Sequence, residues 1–252
     1  MRFFPFGLCL LAACGGSSNP SSDAGSDSSD SQVVVIRSDC ENISDGYCIL
    51  PFPSNRYLEE VDGPLTGRRL NIPRTAMPIN SSGIQVDTAQ FGALDGFSAF
   101  SSPTTVFRGD ISTANLPSET APATSLAQDS PTLLFSVGDD GALTRVAHYA
   151  EVDRWDGQDP ELRPFYLRPL ARLEFRRRYI VAIRNLITTS GAPVEPSDYF
   201  RALRDNTPLV DTDIETRRPA IENVLTTLTE AGVDRSSLIQ AWDFTVGSEE
   251  NI

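Results

Sequence analysis

Thr132-Leu133-Leu134-Phe135-Ser136-Val137, then Asp139-Asp140-Gly141, then Leu143 to Val152, form the stretch that decides the fold. A β-rich run, a tight turn containing Gly and a returning run read as a hairpin. Two more apolar runs of strand length follow, Phe165-Tyr166-Leu167 and Arg178 to Leu186. The second carries Tyr179, Val181 and Ile183 on one face of a period-two pattern. Thr188-Thr189-Ser190-Gly191 turns the chain again. Repeated short strands with Gly and Pro turns predict a mainly β fold with some α, built on a β-sandwich core.

Helices come late. Ser197 is placed to cap a short one through Tyr199, Phe200 and Leu203. A longer one is expected near Thr212 to Ala231, with Thr212 and Glu215 in capping-box spacing. Ile214, Ile221, Val224, Leu225 and Leu228 line one face of it, and Gly232 is its natural stop. Pro219 inside that span predicts a kink or a later start. Leu238 to Val246 reads as a final strand. Upstream the chain differs in kind: prolines at 51, 53, 64, 73 and 78 exclude helix, and Ser81 to Phe107 is loop-like. Residues 33–125 are therefore expected to be irregular and Pro-rich, and residues 126–252 to hold the β part with its C-terminal helix. The Pro/Ser/Thr/Ala connection from Ser118 to Ser130 lies at that boundary.

The N-terminus is read for destination rather than fold. Arg2, the apolar run Phe3 to Leu10 and the closing Leu11-Ala12-Ala13-Cys14 form an export signal over residues 1–14. That run is far short of the ~20 residues a membrane-spanning helix needs. Ala12-Ala13-Cys14 resembles the lipobox of bacterial lipoproteins, which implies lipid attachment at Cys14. Residues 15–32 are nearly all Gly, Ser, Asn, Asp, Pro and Ala, a composition without the apolar surface to form a core, and are read as a tether. Such a tether spans roughly 25 Å as a flexible coil. The localisation expected is the cell envelope, at the outer membrane or cell surface, with the membrane as partner through the lipid.

Composition narrows the chemistry. The net charge is -13, and all 21 basic residues are Arg, with no Lys. An acidic chain with no basic tract beyond Arg176-Arg177-Arg178 has no means of gripping nucleic acid, and those three read as decoration of a turn and strand entry. With Cys9 in the signal and Cys14 lipidated, Cys40 and Cys48 remain. In an exported protein they read as one disulfide; a zinc site is the sharper alternative, and two Cys without nearby His make poor ligands. No cofactor motif is present.

A Ser-His-Asp hydrolase needs a nucleophile, a base and an orienting acid. The single histidine, His148, lies in an expected strand and is read as structural. Gly96-Phe97-Ser98-Ala99-Phe100 carries half of a Gly-x-Ser-x-Gly elbow. Asp153, Asp156 and Asp159 around Gly157 offer oxygens to calcium, although such groups are ordinary loop chemistry. No catalytic, cofactor-binding or metal residue is assigned.

Several segments together resemble a known family. They are Cys48 to Ser54, Leu94-Asp95-Gly96-Phe97-Ser98, His148-Tyr149-Ala150-Glu151-Val152-Asp153, Leu167-Arg168-Pro169-Leu170, Arg178 to Ile183, Gly191-Ala192-Pro193-Val194 and Ala241-Trp242-Asp243-Phe244-Thr245-Val246. They resemble the N-terminal domain of exported bacterial lipase-like α/β hydrolases, the virulence factor lipase type. Leu167 to Val194 also looks like the end of a bacterial Ig-like module. The resemblance implies a non-catalytic accessory domain beside a carboxylester hydrolase whose serine elbow follows C-terminally, with Gly247-Ser248-Glu249-Glu250 as the entry to it. A stand-alone cell-surface binding lipoprotein for glycan or protein is the alternative, with Trp155, Asp156 and Asp159 as its platform. An independent enzyme working through unpatterned carboxylates is the third reading. An apolar patch near the C-terminus is expected of the first, a polar groove of the second, and converging titratable groups of the third.

Overall fold

The computed structural model describes residues 39–155, 159, 162–209 and 215–251. The signal with Cys14, the tether, Thr212, Ile214, Asp156 and Gly157 lie outside these residues. Residues 36–252 belong to one compact unit. The expected mainly β fold, with a C-terminal helix followed by a strand, is what the chain adopts.

Nine strands are described: β1 Leu58–Glu60, β2 Arg68–Leu70, β3 Thr104–Val106, β4 Thr132–Val137, β5 Leu143–Arg145, β6 His148–Val152, β7 Pro164–Pro169, β8 Arg178–Arg184 and β9 Leu238–Thr245. They make three antiparallel sheets: β1–β2, β3–β7–β6 and β5–β4–β8–β9. The hairpin read from the sequence is real but its return strand is cut in two. Leu143–Arg145 pairs with β4, and His148–Val152 pairs with β7 in a different sheet. Val146 still donates its N–H to Leu134 O at 2.8 Å, so the change of sheet happens within two residues. The turn closes as its sequence demands. Gly141 takes φ +82°, its N–H reaches Gly138 O at 2.9 Å, and Asp140 Oδ1 accepts the Ala142 N–H at 3.0 Å.

Burial separates the sheets. In β8 the five residues from Tyr179 to Ile183 are all buried, and in β9 only Asp243 is partly exposed. A half-solvated strand would alternate; these two are covered on both faces. Two α-helices contribute to that cover. Helix α1 (Asp198–Arg204) is capped by Ser197, whose Oγ accepts the Phe200 N–H at 3.1 Å. Helix α2 (Arg218–Glu230) buries Ile221, Val224, Leu225 and Leu228, and both helices contact β9. Pro219 lies in its first turn, where a missing N–H costs nothing, so the later start replaces the kink. The residue before the helix is Arg217, without a side-chain cap, and Glu215 instead accepts the Leu209 N–H at 2.7 Å.

The irregular N-terminal part is held by specific bonds. It wraps β9, the outer strand of the four-stranded sheet: Trp242 Nε1 donates to Pro53 O at 2.8 Å, Gln240 Nε2 to Ile43 O at 2.9 Å, and Asn55 Nδ2 to Asp243 Oδ2 at 2.7 Å. Phe97 N–H bonds Thr245 O, and Gly247 N–H bonds Phe97 O, both at 2.9 Å. Gly96 permits this approach, since a Cβ there would sit 2.5 Å from Gly247 N. The segment begins at a disulfide joining Cys40 to Cys48, as expected. Tyr57 Oη bonds Cys48 O at 3.1 Å, which ties the loop to the core.

Closing that short loop restricts the unfolded chain by about 2–3 kcal/mol in the chain-entropy picture. A Cys40→Ser/Cys48→Ser double variant is therefore expected to lose about that much stability. Urea unfolding of the variant against the oxidised parent measures it, and an unchanged midpoint would refute the role.

Candidate functional site

One concavity among the described residues is a cleft of about 530 Å³ between the β1–β2 hairpin, the start of β8, the C-terminal part of β9 and the start of α2. Four guanidinium groups line it, Arg56, Arg68, Arg178 and Arg217, against two carboxylates, Glu60 and Asp243. Leu58, Ala220, Ile221 and an edge of Trp242 supply an apolar wall. Arg68 comes from β2, opposite Glu60 across the hairpin. Arg178 and Asp243 come from paired strands, and Arg217 stands directly before α2.

Arg178 and Arg217 are each held by a carboxylate. Arg178 donates Nε to Asp243 Oδ2 at 2.7 Å and Nη2 to Asn223 Oδ1 at 2.9 Å. Arg217 pairs with Glu41 through Nη2–Oε1 at 2.7 Å, and its Nη1 donates to Glu41 O at 2.6 Å. Glu41 is fully buried, and Ser54 Oγ donates to its other oxygen at 2.5 Å. Burial pushes the Glu41 carboxyl up; Arg217 and then the Ser54 hydrogen bond pull it back. Arg68 is different. Its Nη1 bonds Thr245 Oγ1 at 3.0 Å, and among the described residues it makes no ion pair. Asn55 Oδ1, also in the cleft wall, is buried without a hydrogen-bond partner among the described residues.

A second concavity, about 360 Å³, lies just beyond the C-terminal end of β9. It is mainly apolar, lined by Leu94, Phe97, Ala99, Phe100 and Phe175, and it runs beside Gly247 and Ser248. Phe100 is 77% exposed, the highest among the large exposed apolar side chains. Arg172 lies over the Phe175 ring at 4.4 Å and forms part of the rim.

The sequence-read candidates fall elsewhere. Ser98 sits in a turn: its Oγ accepts the Phe100 N–H at 3.1 Å, and its carbonyl accepts the Ser101 N–H. No elbow is formed. His148 is fully buried, with Nδ1 at 2.9 Å from Val146 O and Nε2 at 2.9 Å from Thr132 Oγ1. A carbonyl only accepts, so Nδ1 carries the proton and Nε2 accepts from the hydroxyl. Both nitrogens of the neutral ring are used, and the ring and its Thr132 partner are both fully buried, out of reach of a substrate. The arginine run is paired throughout: Arg176 with Glu249, Arg177 with Glu174 and Asp139, Arg178 with Asp243. Trp155 is exposed, and Asp153 Oδ1 accepts its N–H at 3.0 Å. The calcium reading rests on Asp156 and Gly157, outside the described residues. Asp39, Cys40 and Cys48 bring ligand atoms within 4.8 Å of one another, but the disulfide consumes both thiolates. No described helix is long and apolar enough to cross a membrane.

Neither arginine cleft nor apolar groove was visible in the sequence. Arg68 and Arg217 are separated by most of the folded chain, and only the hairpin register and the helix start bring them together. Compared with known proteins, the chain matches no family model and no curated sequence.

Two outcomes follow. Desolvation by burial, ahead of the opposing Val146 bond, lowers the His148 pKa below its ordinary 6.5. The unfolded chain then binds the extra proton first, so this contribution to stability is complete above 6.5 and is lost as pH falls below it. Between about pH 7.5 and pH 5 the parent should lose up to about 1.4 kcal/mol per pH unit from this group, and His148→Gln should flatten that loss in urea titrations. Glu41→Gln should cost about 3–5 kcal/mol, because it leaves the Arg217 charge buried and unpaired. A loss below about 1 kcal/mol would mean the pair is wet and weak.

Proposed function

We propose that this chain is an exported, non-catalytic accessory domain of a carboxylester hydrolase, anchored in the cell envelope by lipid on Cys14. Its task is to seat and orient a catalytic domain near its substrate. The observation that carries this reading is the apolar groove beside Gly247 and Ser248, with Phe100 presented to solvent. Phe100 continues the apolar lining of Leu94 and Phe175, and a contiguous apolar surface, unlike a lone exposed side chain, marks a contact site. In the family that the sequence resembles, the catalytic domain follows C-terminally, which is the end of the chain where the groove lies. The sealed, fully bonded His148 agrees with a domain that performs no acyl transfer of its own. A second reading, a surface binding lipoprotein, draws on the arginine cleft and its buried acceptor Asn55 Oδ1.

The test begins with the gene. Reading the DNA past the Ile252 codon, and its neighbours, should reveal a hydrolase domain with a Gly-x-Ser-x-Gly elbow. Phe100→Asp should leave the melting temperature of this domain nearly unchanged, because an exposed position contributes within about 0.5 kcal/mol. It should weaken association with that hydrolase at least tenfold, measured by calorimetry on the purified pair. Absence of any such hydrolase, or undiminished association, would discard the accessory reading in favour of the second.

A further inference from the structure

We propose that the apolar groove beyond β9 takes the acyl chain of an unesterified medium-chain fatty acid, whose carboxylate meets Arg172. The binding stands on the groove's own chemistry. Only its consequence, competition between that acid and a docked hydrolase for Phe100, rests on the accessory reading.

The apolar lining is graded from floor to lip. Phe97 and Ala99 are buried, Leu94 and Phe175 are partly buried, and Phe100 stands open to solvent. Backbone bonds hold this shape without a ligand. Phe97 N–H bonds Thr245 O, Gly247 N–H bonds Phe97 O, and Leu173 N–H bonds Ala99 O, each at 2.9 Å. The Phe52 ring holds that of Phe97 in a T-shaped contact at 5.3 Å. A volume of about 360 Å³ is at the small end of ligand pockets, which suits one chain of moderate length rather than a lipid with two.

Charge selects the head group. Arg172 is the one charged side chain lining the groove among the described residues, and it is exposed. Its guanidinium lies over the Phe175 ring at 4.4 Å, a contact that positions the head but gives its N–H donors no acceptor. Among the described residues it makes no hydrogen bond and no ion pair. The carboxylates next to the lining residues in sequence are engaged elsewhere. Glu174 pairs with Arg177, Glu249 pairs with Arg176, and the buried Asp95 accepts the Ser248 N–H at 2.8 Å. An open guanidinium fork at the rim of an apolar groove matches an amphiphile with one carboxylate at its end. A sugar would find too few polar partners there, and a neutral lipid would leave the cation unused.

The experiment is calorimetric titration of the full chain, below micelle-forming concentrations, with octanoate, decanoate, 1-decanol and decyltrimethylammonium. Saturable binding of decanoate is expected, about tenfold tighter than octanoate, because each buried methylene strengthens binding about fourfold. Decanol should bind about tenfold more weakly than decanoate, since it lacks the charge-assisted bond, and the cationic amphiphile more weakly still. Arg172→Gln, at an exposed position that does not threaten the fold, should bring decanoate down to the affinity of decanol and leave decanol unchanged. Arg172→Lys should restore part of the difference, and Phe100→Ala should weaken decanoate and decanol alike. No saturable decanoate binding would overturn the proposal. So would equal affinity for decanol or the cationic amphiphile, or decanoate affinity unchanged by either Arg172→Gln or Phe100→Ala. None of these results touches the docking reading, which the Phe100→Asp measurement on the purified pair decides.

Discussion

Strand β9 is the constraint from which the rest of this structure follows. It is an outer strand by pairing, yet almost every side chain on it is buried. An outer strand leaves a row of backbone donors and acceptors unpaired, and burying them without partners is expensive. The molecule resolves this by wrapping its irregular N-terminal part around that edge. Pro53, Ile43 and Asn55 take the polar side chains of Trp242, Gln240 and Asp243, and Phe97 bonds backbone at the strand's exit. Prolines suit such a cover, because they supply carbonyls without N–H groups that would need partners of their own. The buried Glu41–Arg217 pair then joins the start of the cover to the start of α2.

Much of the frame was legible in the sequence, for local reasons. Short β-rich apolar runs located β4, β8 and β9; the apolar stripe of Ile221, Val224, Leu225 and Leu228 located α2; cysteine arithmetic located the disulfide. These signals survive because each is carried by residues close together in the chain. The break at Val146 and Ala147 was not legible, since both halves of that run have strand character and only the choice of partner distinguishes them. The cleft was hidden for a stronger reason. Arg68, Arg178 and Arg217 each look like ordinary surface charge until the hairpin, the sheet and the helix bring them to one wall.

The same comparison separates a residue's identity from its role. His148 is the only imidazole in the chain, and so the natural suspect for chemistry. Its environment assigns it otherwise: a carbonyl at one nitrogen and a hydroxyl at the other make it a cross-link between β6 and β4, the two sheets' nearest approach in sequence. Ser98 is equally reduced to turn chemistry by its bond with the Phe100 amide. Open to solvent among the described residues are an apolar groove just beyond the C-terminal end of β9 and an arginine-lined cleft beside Trp242 and Asp243.

The wrapping of β9 also has a kinetic meaning. Bonds 153 to 197 positions apart join the stretch from Ile43 to Asp95 to β9 and the residues just after it. Contacts of such separation form late and slowly, because the loop entropy is spent before any of them rewards it. During synthesis the early segment has nothing to wrap until Leu238 to Thr245 has emerged. Until then the edge of β8 that β9 covers stays bare, so the four-stranded sheet is completed only by the last of the described strands to be made.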